Sequence, residues 1–125
     1  MKAQHRALED WLEDLVEMAE KIIAYTDPIS FEGFAASEPL RDLVVKKVEN
    51  MGEAARYLRI LHPDYFNSVP DVPWRKLTET RNRLCHGYFD VSPVILWETA
   101  KQSIPPLLVI FRRMLDERVR VVRPD

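Results

Sequence analysis

The stretch Arg81-Asn82-Arg83-Leu84-Cys85-His86-Gly87-Tyr88 brings two guanidinium groups, a carboxamide, a thiol, an imidazole and a phenol into eight positions. Arginine keeps its charge and can direct a fork of N–H donors at the non-bridging oxygens of a phosphate. Neutral histidine can take the proton from a ribose 2′-hydroxyl, and protonated histidine can give one to a leaving 5′-oxygen. Asn82 can orient a phosphate or a water. With no metal ligands nearby in the sequence, these groups suggest phosphate chemistry that runs without a metal or other cofactor. One imidazole does not easily act as base and acid in the same step. A dimer with two copies of the stretch across a shared cleft would supply both. The opposing reading is structural. Arg81 would then be a salt bridge inside a bundle, His86 a helix end favoured by the dipole, and Tyr88 a half-buried lid.

These residues must be held by helices. Leu8, Trp11, Leu12, Leu15, Ala19, Ile22 and Ile23 recur at spacings of three and four, the stripe of a long first helix ending near Asp27-Pro28. Ser30 caps a short turn. Ser37 caps a second long helix to about Leu61, with Pro39 in its first turn. Gly52 sits inside that helix at a cost of roughly 1 kcal/mol relative to alanine. With Ala54 and Ala55 it makes a smooth patch that lets another backbone approach. Residues 62–73 read as a loop, and a third helix runs from Trp74 to His86, stopped by Gly87. Ser92-Pro93 opens the next helix, and Pro105-Pro106 must break or kink it. A last helix reaches about Arg118, and 119–125 is a frayed tail. The expected fold is all-α, an antiparallel bundle of four to five helices formed by a single domain over 1–125.

On the third helix Arg81 shares a sector with Trp74, Leu77, Leu84 and Cys85. A guanidinium in an apolar stripe needs a reason, because an unpaired buried charge is costly. Either it meets a carboxylate, such as Glu49 or Glu53, or it lines a cleft or a subunit interface. Arg83 lies outside the stripe and reads as solvated. His86 is about 140° from Arg81 on a continuous helix, but the two can converge if the helix ends at Gly87.

Composition narrows the classes. At 46% hydrophobic and 30% charged, the chain is that of a folded protein rather than a disordered one. No apolar run is long enough to span a bilayer, and the N-terminus lacks the apolar core of a signal peptide, so a cytoplasmic protein is expected. Residues 1–40 carry three Lys/Arg against nine Asp/Glu, whereas 41–125 carry fifteen against eleven. A polyanion would prefer the second part. The lone Cys85 reads as a small apolar core residue, since its neighbour His86 points about 100° away on a helix. His5 and His62 read as incidental. Glu49 and Glu53 lack a histidine at metal-ligand spacing and read as ion-pair partners. Tyr57, Tyr65, Phe66, Trp74 and Trp97 read as core or interface first, and as stacking surfaces for bases second.

The same stretch resembles the motif of the HepT-like branch of the HEPN superfamily: arginine, four residues, histidine, one residue, tyrosine. Arg81, His86 and Tyr88 fill it, with Asn82 after the arginine. VENMGEAAR (48–56), VPW (72–74) and LWETAKQSIPPL (96–107) are similar to other segments of that family, in the same order. The resemblance implies a HEPN-like helical bundle that dimerises with the motif at the interface. It implies a metal-independent ribonuclease, the toxin of a toxin–antitoxin pair, with tRNA among the family's targets. Arg81 and His86 would carry cleavage. The partner would be a nucleotidyltransferase antitoxin of the MntA kind, which attaches AMP to the motif tyrosine, here Tyr88. The alternative is a non-catalytic HEPN module that binds such a partner and holds nucleotide or RNA without cutting it.

Overall fold

A computed structural model describes residues 6–69, 71–86 and 92–122, except the side chains of Cys85 and His86. Tyr88 therefore lies outside the described residues, as does the side chain of His86. The described chain forms α1 (Leu8–Thr26), α2 (Phe31–Ala35), α3 (Glu38–Leu61), α4 (Pro63–Asn67), α5 (Trp74–His86), α6 (Pro93–Glu98), a π-helical segment (Thr99–Ser103) and α7 (Ile104–Val122). Among the described residues there is no strand, in keeping with an all-α, HEPN-like bundle.

Local chemistry sets the helix boundaries. Asp10 accepts from the Ala7 N–H at 3.2 Å at the start of α1. At its end the Thr26 hydroxyl, fully buried, donates to the Ile22 carbonyl at 2.7 Å. Ser30, Ser37 and Ser92 are the N-caps of α2, α3 and α6, accepting from Gly33, Leu40 and Val94 at 3.0, 3.3 and 3.1 Å. Each satisfies one of the amides that a helix start leaves without a partner.

Two expectations are corrected. The segment 62–73 is not loop throughout, because α4 forms one turn in it. Pro63 stands at the start, where its missing N–H costs nothing, and the Phe66 N–H reaches the His62 carbonyl at 2.9 Å. Of the break or kink expected at Pro105-Pro106 the break is not seen: a π-helical turn stands there, so that α6, the π segment and α7 form one contiguous helical run. Prolines 105 and 106 cannot donate to the carbonyls one α-turn back. The wider turn shifts the ladder, and the Ile104 N–H bonds to the Thr99 carbonyl. α7 also continues to Val122, four residues beyond the expected end at Arg118.

α1 packs between α3 and α7, and α5 packs on α3. The buried stripes Leu12, Leu15, Ala19 and Ile22 of α1 and Val44, Val48, Met51 and Leu58 of α3 meet Ile104, Phe111 and Met114 of α7 in one apolar core. Phe34 of the short α2 is fully buried and packs on Trp97, ring centres 5.3 Å apart. Ion pairs Glu9–Arg118 at 2.7 Å, Glu20–Arg112 at 2.9 Å and Asp27–Lys101 at 3.0 Å run along α1 and show that the α6–α7 run lies antiparallel to it. The hydrogen bond from Arg118 holds the Glu9 carboxyl below the ordinary range. Among the described residues no helix is long and apolar enough to cross a membrane.

Candidate active-site groove

α5 has two faces. Leu77 and Leu84 are buried in the core. Trp74, Thr78 and Arg81 follow at steps of four and three, the spacing of one helical stripe, and turn toward a groove beside α3. The groove has a volume of about 430 Å³ and is lined from α3 by Gly52, Glu53, Ala55, Arg56 and Arg59, from α4 by Phe66, and from α5 by Trp74, Arg75, Thr78 and Arg81. Among the described residues four guanidinium groups and one carboxylate thus line it.

Arg81 owes its seat to Gly52. A Cβ at residue 52 would stand 2.8 Å from Arg81 Cγ and 3.2 Å from its Cβ and Cδ, closer than side-chain atoms can sit without one of them moving. No glycine among the described residues has a positive φ, so Gly52 is needed for space rather than for backbone freedom. The sequence marks the spot through a glycine in mid-helix. It places the neighbour differently, however: Gly52 admits the arginine stem, Ala55 lines the groove, and Ala54 borders a second groove on the α1 side.

The Arg81 guanidinium donates through Nη1 to Asn82 Oδ1 at 3.0 Å. Both residues are half-buried. Of the two alternatives open for a guanidinium in an apolar stripe, lining a cleft is the one observed. Glu53 lines the same groove and its ion pair is with Arg56, at 3.1 Å. Glu49, one turn earlier on α3, pairs with Lys46 at 3.6 Å. Arg75 pairs with Glu79 at 3.2 Å, both well exposed. Arg83 is exposed, as its position outside the stripe predicts. His86 is the last residue of α5, five positions beyond Arg81 on the same helix.

The aromatic residues divide by contact. Trp11 stacks on Tyr57, ring centres 5.1 Å apart, and Trp97 packs on Phe31 and Phe34, so these serve the bundle. Phe66 stacks on Trp74 at 4.8 Å and 22° between planes, and both line the groove. The Trp74 Nε1 is buried with no hydrogen-bond partner among the described residues. Reasoning from sequence did not single out Arg56, Arg59, Arg75 or Thr78. They come from two helices; the arginines are foreshadowed by the basic excess of residues 41–125, and Arg56 also by the family-like segment 48–56.

An all-helical bundle with an arginine-lined groove along a helix that ends in an arginine–histidine motif is a domain suited to binding phosphate groups. The chain belongs to the ribonuclease HepT-like family, whose match covers residues 15–114. A protein of Thermococcus cleftensis named "Probable ribonuclease HepT" is 35% identical over 115 residues, covering 91% of this chain and 98% of the relative. "Putative RNase MJ1380" of Methanocaldococcus jannaschii is 31% identical over 102 residues, covering 82% and 91%. "Putative RNase TTE0752" of Caldanaerobacter subterraneus is 33% identical over 97 residues, covering 78% and 84%. No solved structure matches the chain.

Proposed function

We propose that this protein is a metal-independent endoribonuclease that cleaves RNA, tRNA among its candidate targets, at a composite site in a homodimer. The observation that carries the reading is the placement of Arg81. It is half-buried over Gly52, tied to Asn82, and set in a groove where three further arginines stand, in a chain of the ribonuclease HepT-like family. In the reaction, His86 of one copy removes the proton from a ribose 2′-hydroxyl. The 2′-oxygen bonds to the adjacent phosphorus, and the bond from phosphorus to the 5′-oxygen breaks. A protonated histidine, supplied by the second copy, gives its proton to that 5′-oxygen, leaving a 2′,3′-cyclic phosphate. Arg81 holds the non-bridging oxygens as their charge grows, and Asn82 holds Arg81. Glu53 supports the groove from α3, with Glu49 one turn before it on the same helix.

The biological setting we propose is a toxin–antitoxin pair. A nucleotidyltransferase antitoxin would transfer AMP from a nucleoside triphosphate to the Tyr88 hydroxyl, releasing pyrophosphate. The product would carry a bulky anion two residues from His86. Cleavage of total tRNA by the purified protein tests the nuclease. Arg81→Ala and His86→Ala are each expected to lower the rate at least about 100-fold with the fold intact, and chelator is expected to leave the rate unchanged. A dimeric wild-type protein that cuts no cellular RNA would overturn the nuclease and leave the binding module. Intact mass after co-expression with the antitoxin tests the modification. AMP-sized increments are expected, and Tyr88→Phe is expected to lose them.

A further inference from the structure

The cleavage chemistry uses Arg81 but gives no role to Phe66, Trp74 or Arg59, which occupy the rest of the same groove. Trp74 is seven residues before Arg81, so it stands two helical turns, about 10 Å, along α5 from it. Its ring and that of Phe66 are already near parallel, so they form a platform whose ordering cost has been met by folding. Both rings are half-buried against the core yet line the groove. Arg59 is exposed, and no ion pair reaches it among the described residues. Arg56 and Arg75 make exposed ion pairs one turn apart on their own helices, contacts of small net worth that a phosphate can displace, and Arg56 also lies over the Tyr57 ring at 4.9 Å. The groove volume, about 430 Å³, is that of a small-ligand site and has room for a nucleobase.

We propose that this part of the groove is a single-stranded RNA subsite, in which an unpaired base stacks on the Phe66–Trp74 platform and Arg59, with Arg56 and Arg75, holds the flanking phosphates. The proposal rests on the ribonuclease reading and adds a substrate class to it. A base inside a duplex is stacked on its neighbours and cannot reach a protein ring, so the platform selects loops and unpaired ends. Stacking is indifferent to base identity, whereas the arginines make binding depend on salt.

The test is fluorescence anisotropy with fluorescein-labelled oligoadenylate and with a blunt RNA hairpin, in the His86→Ala background so that RNA is not consumed. Oligoadenylate is expected to bind more tightly than the hairpin. Trp74→Leu is expected to weaken oligoadenylate roughly ten-fold with little change for the hairpin, and Trp74→Phe to retain most of the affinity. Arg59→Gln, at an exposed side chain that folding does not need, is expected to reduce the salt slope for oligoadenylate by about 0.7. Equal binding of hairpin and single strand, or an unchanged affinity in folded Trp74→Leu, overturns the subsite. So does an unchanged salt slope in Arg59→Gln, which decides the matter if Trp74→Leu does not fold. If wild-type protein cleaves RNA in these cases, the subsite alone falls. If it neither cleaves nor binds RNA, the ribonuclease reading falls as well.

Discussion

α3 divides two grooves of opposite character. On its α5 side lie Arg56, Arg59, Arg75 and Arg81, with Glu53 the one carboxylate among the described residues. On its α1 side a groove of about 340 Å³ is lined by Asp14, Glu17 and Glu53, with Lys47 the one cation among the described residues, beside Trp11, Met18, Asn50 and Ala54. Glu53 stands on the ridge between them. On the α1 side Asp14 pairs with Arg6 at 2.6 Å, and Glu17 pairs with Lys21 at 3.0 Å in an exposed contact. Arg56 and Arg75 make exposed pairs of the same kind, whereas Arg59 and Arg81 make no ion pair among the described residues. Among the described residues one groove is therefore lined mainly by acids, while the other presents an excess of positive charge to a ligand. A polyanion approaching the bundle is drawn to the α5 side and repelled from the α1 side.

The sharpest way to break this contrast, after removal of Arg81 or His86, is Gly52→Ala. The added methyl must push the Arg81 stem out of its seat. Cleavage is expected to fall about ten-fold or more, a loss of roughly 1.4 kcal/mol or more in transition-state binding. Stability should change by less than about 1 kcal/mol, since alanine's helix preference offsets the crowding. Parallel rate and melting measurements check this, and an unchanged rate would mean that Arg81 needs no fixed seat.

Charge reversal compares the two sides directly. Arg59→Glu is expected to weaken RNA binding several-fold at low salt, with the effect fading as salt rises. Glu17→Lys, a charge change of the same size across α3, is expected to leave binding unchanged or slightly stronger. Anisotropy titrations at two salt concentrations distinguish them. Equal losses from both would show that the fold and not local charge decides binding, and a gain from Glu17→Lys as large as the loss from Arg59→Glu would show that net charge alone decides it.

The smallest effect tests whether α1's acids are structural. The folded-state carboxyl of Glu9 is lowered chiefly by the hydrogen bond from Arg118, helped by a backbone hydrogen bond. Its contribution is present above the unfolded-state value near 4.5 and is lost as pH falls through the lowered folded-state value. Glu9→Gln is expected to cost about 0.5 kcal/mol at neutral pH, as for a partly exposed pair. The difference from wild type should vanish in acid, with RNA cleavage at neutral pH unaffected. Thermal melts from neutral pH to below pH 4 check the sign.

Much of the bundle was legible in the sequence because its signals are local. A three-and-four stripe marks a buried helix face, as Leu12, Leu15, Ala19 and Ile22 of α1 show. A serine before a helix satisfies an amide that any helix start leaves open, so Ser30, Ser37 and Ser92 named three boundaries. The turn α4 is hidden by the proline-rich composition of 62–73, which points to loop, although Pro63 at a first helical position favours a turn. The π segment was missed because prolines remove hydrogen bonds without saying whether the helix ends or re-registers. That choice rests on the packing of α6 and α7 against α1 and α2.

The site divides in the same way. An arginine in an apolar stripe and a glycine inside a helix were each conspicuous in sequence, because each carries a local cost that something distant must offset. That they offset one another, with Gly52 making room for Arg81, is a contact between two helices 29 positions apart in the chain. Periodicity within either helix cannot report it. The groove arginines are a stronger case. Nothing about Arg56, Arg59 or Arg75 alone separates them from the other solvated cations, and the excess of positive charge after residue 40 gave only a sign. Helix periods and caps come from forces acting over a few residues, whereas the meeting of Arg59, Phe66, Trp74 and Arg81 around one groove comes from how α3, α4 and α5 pack.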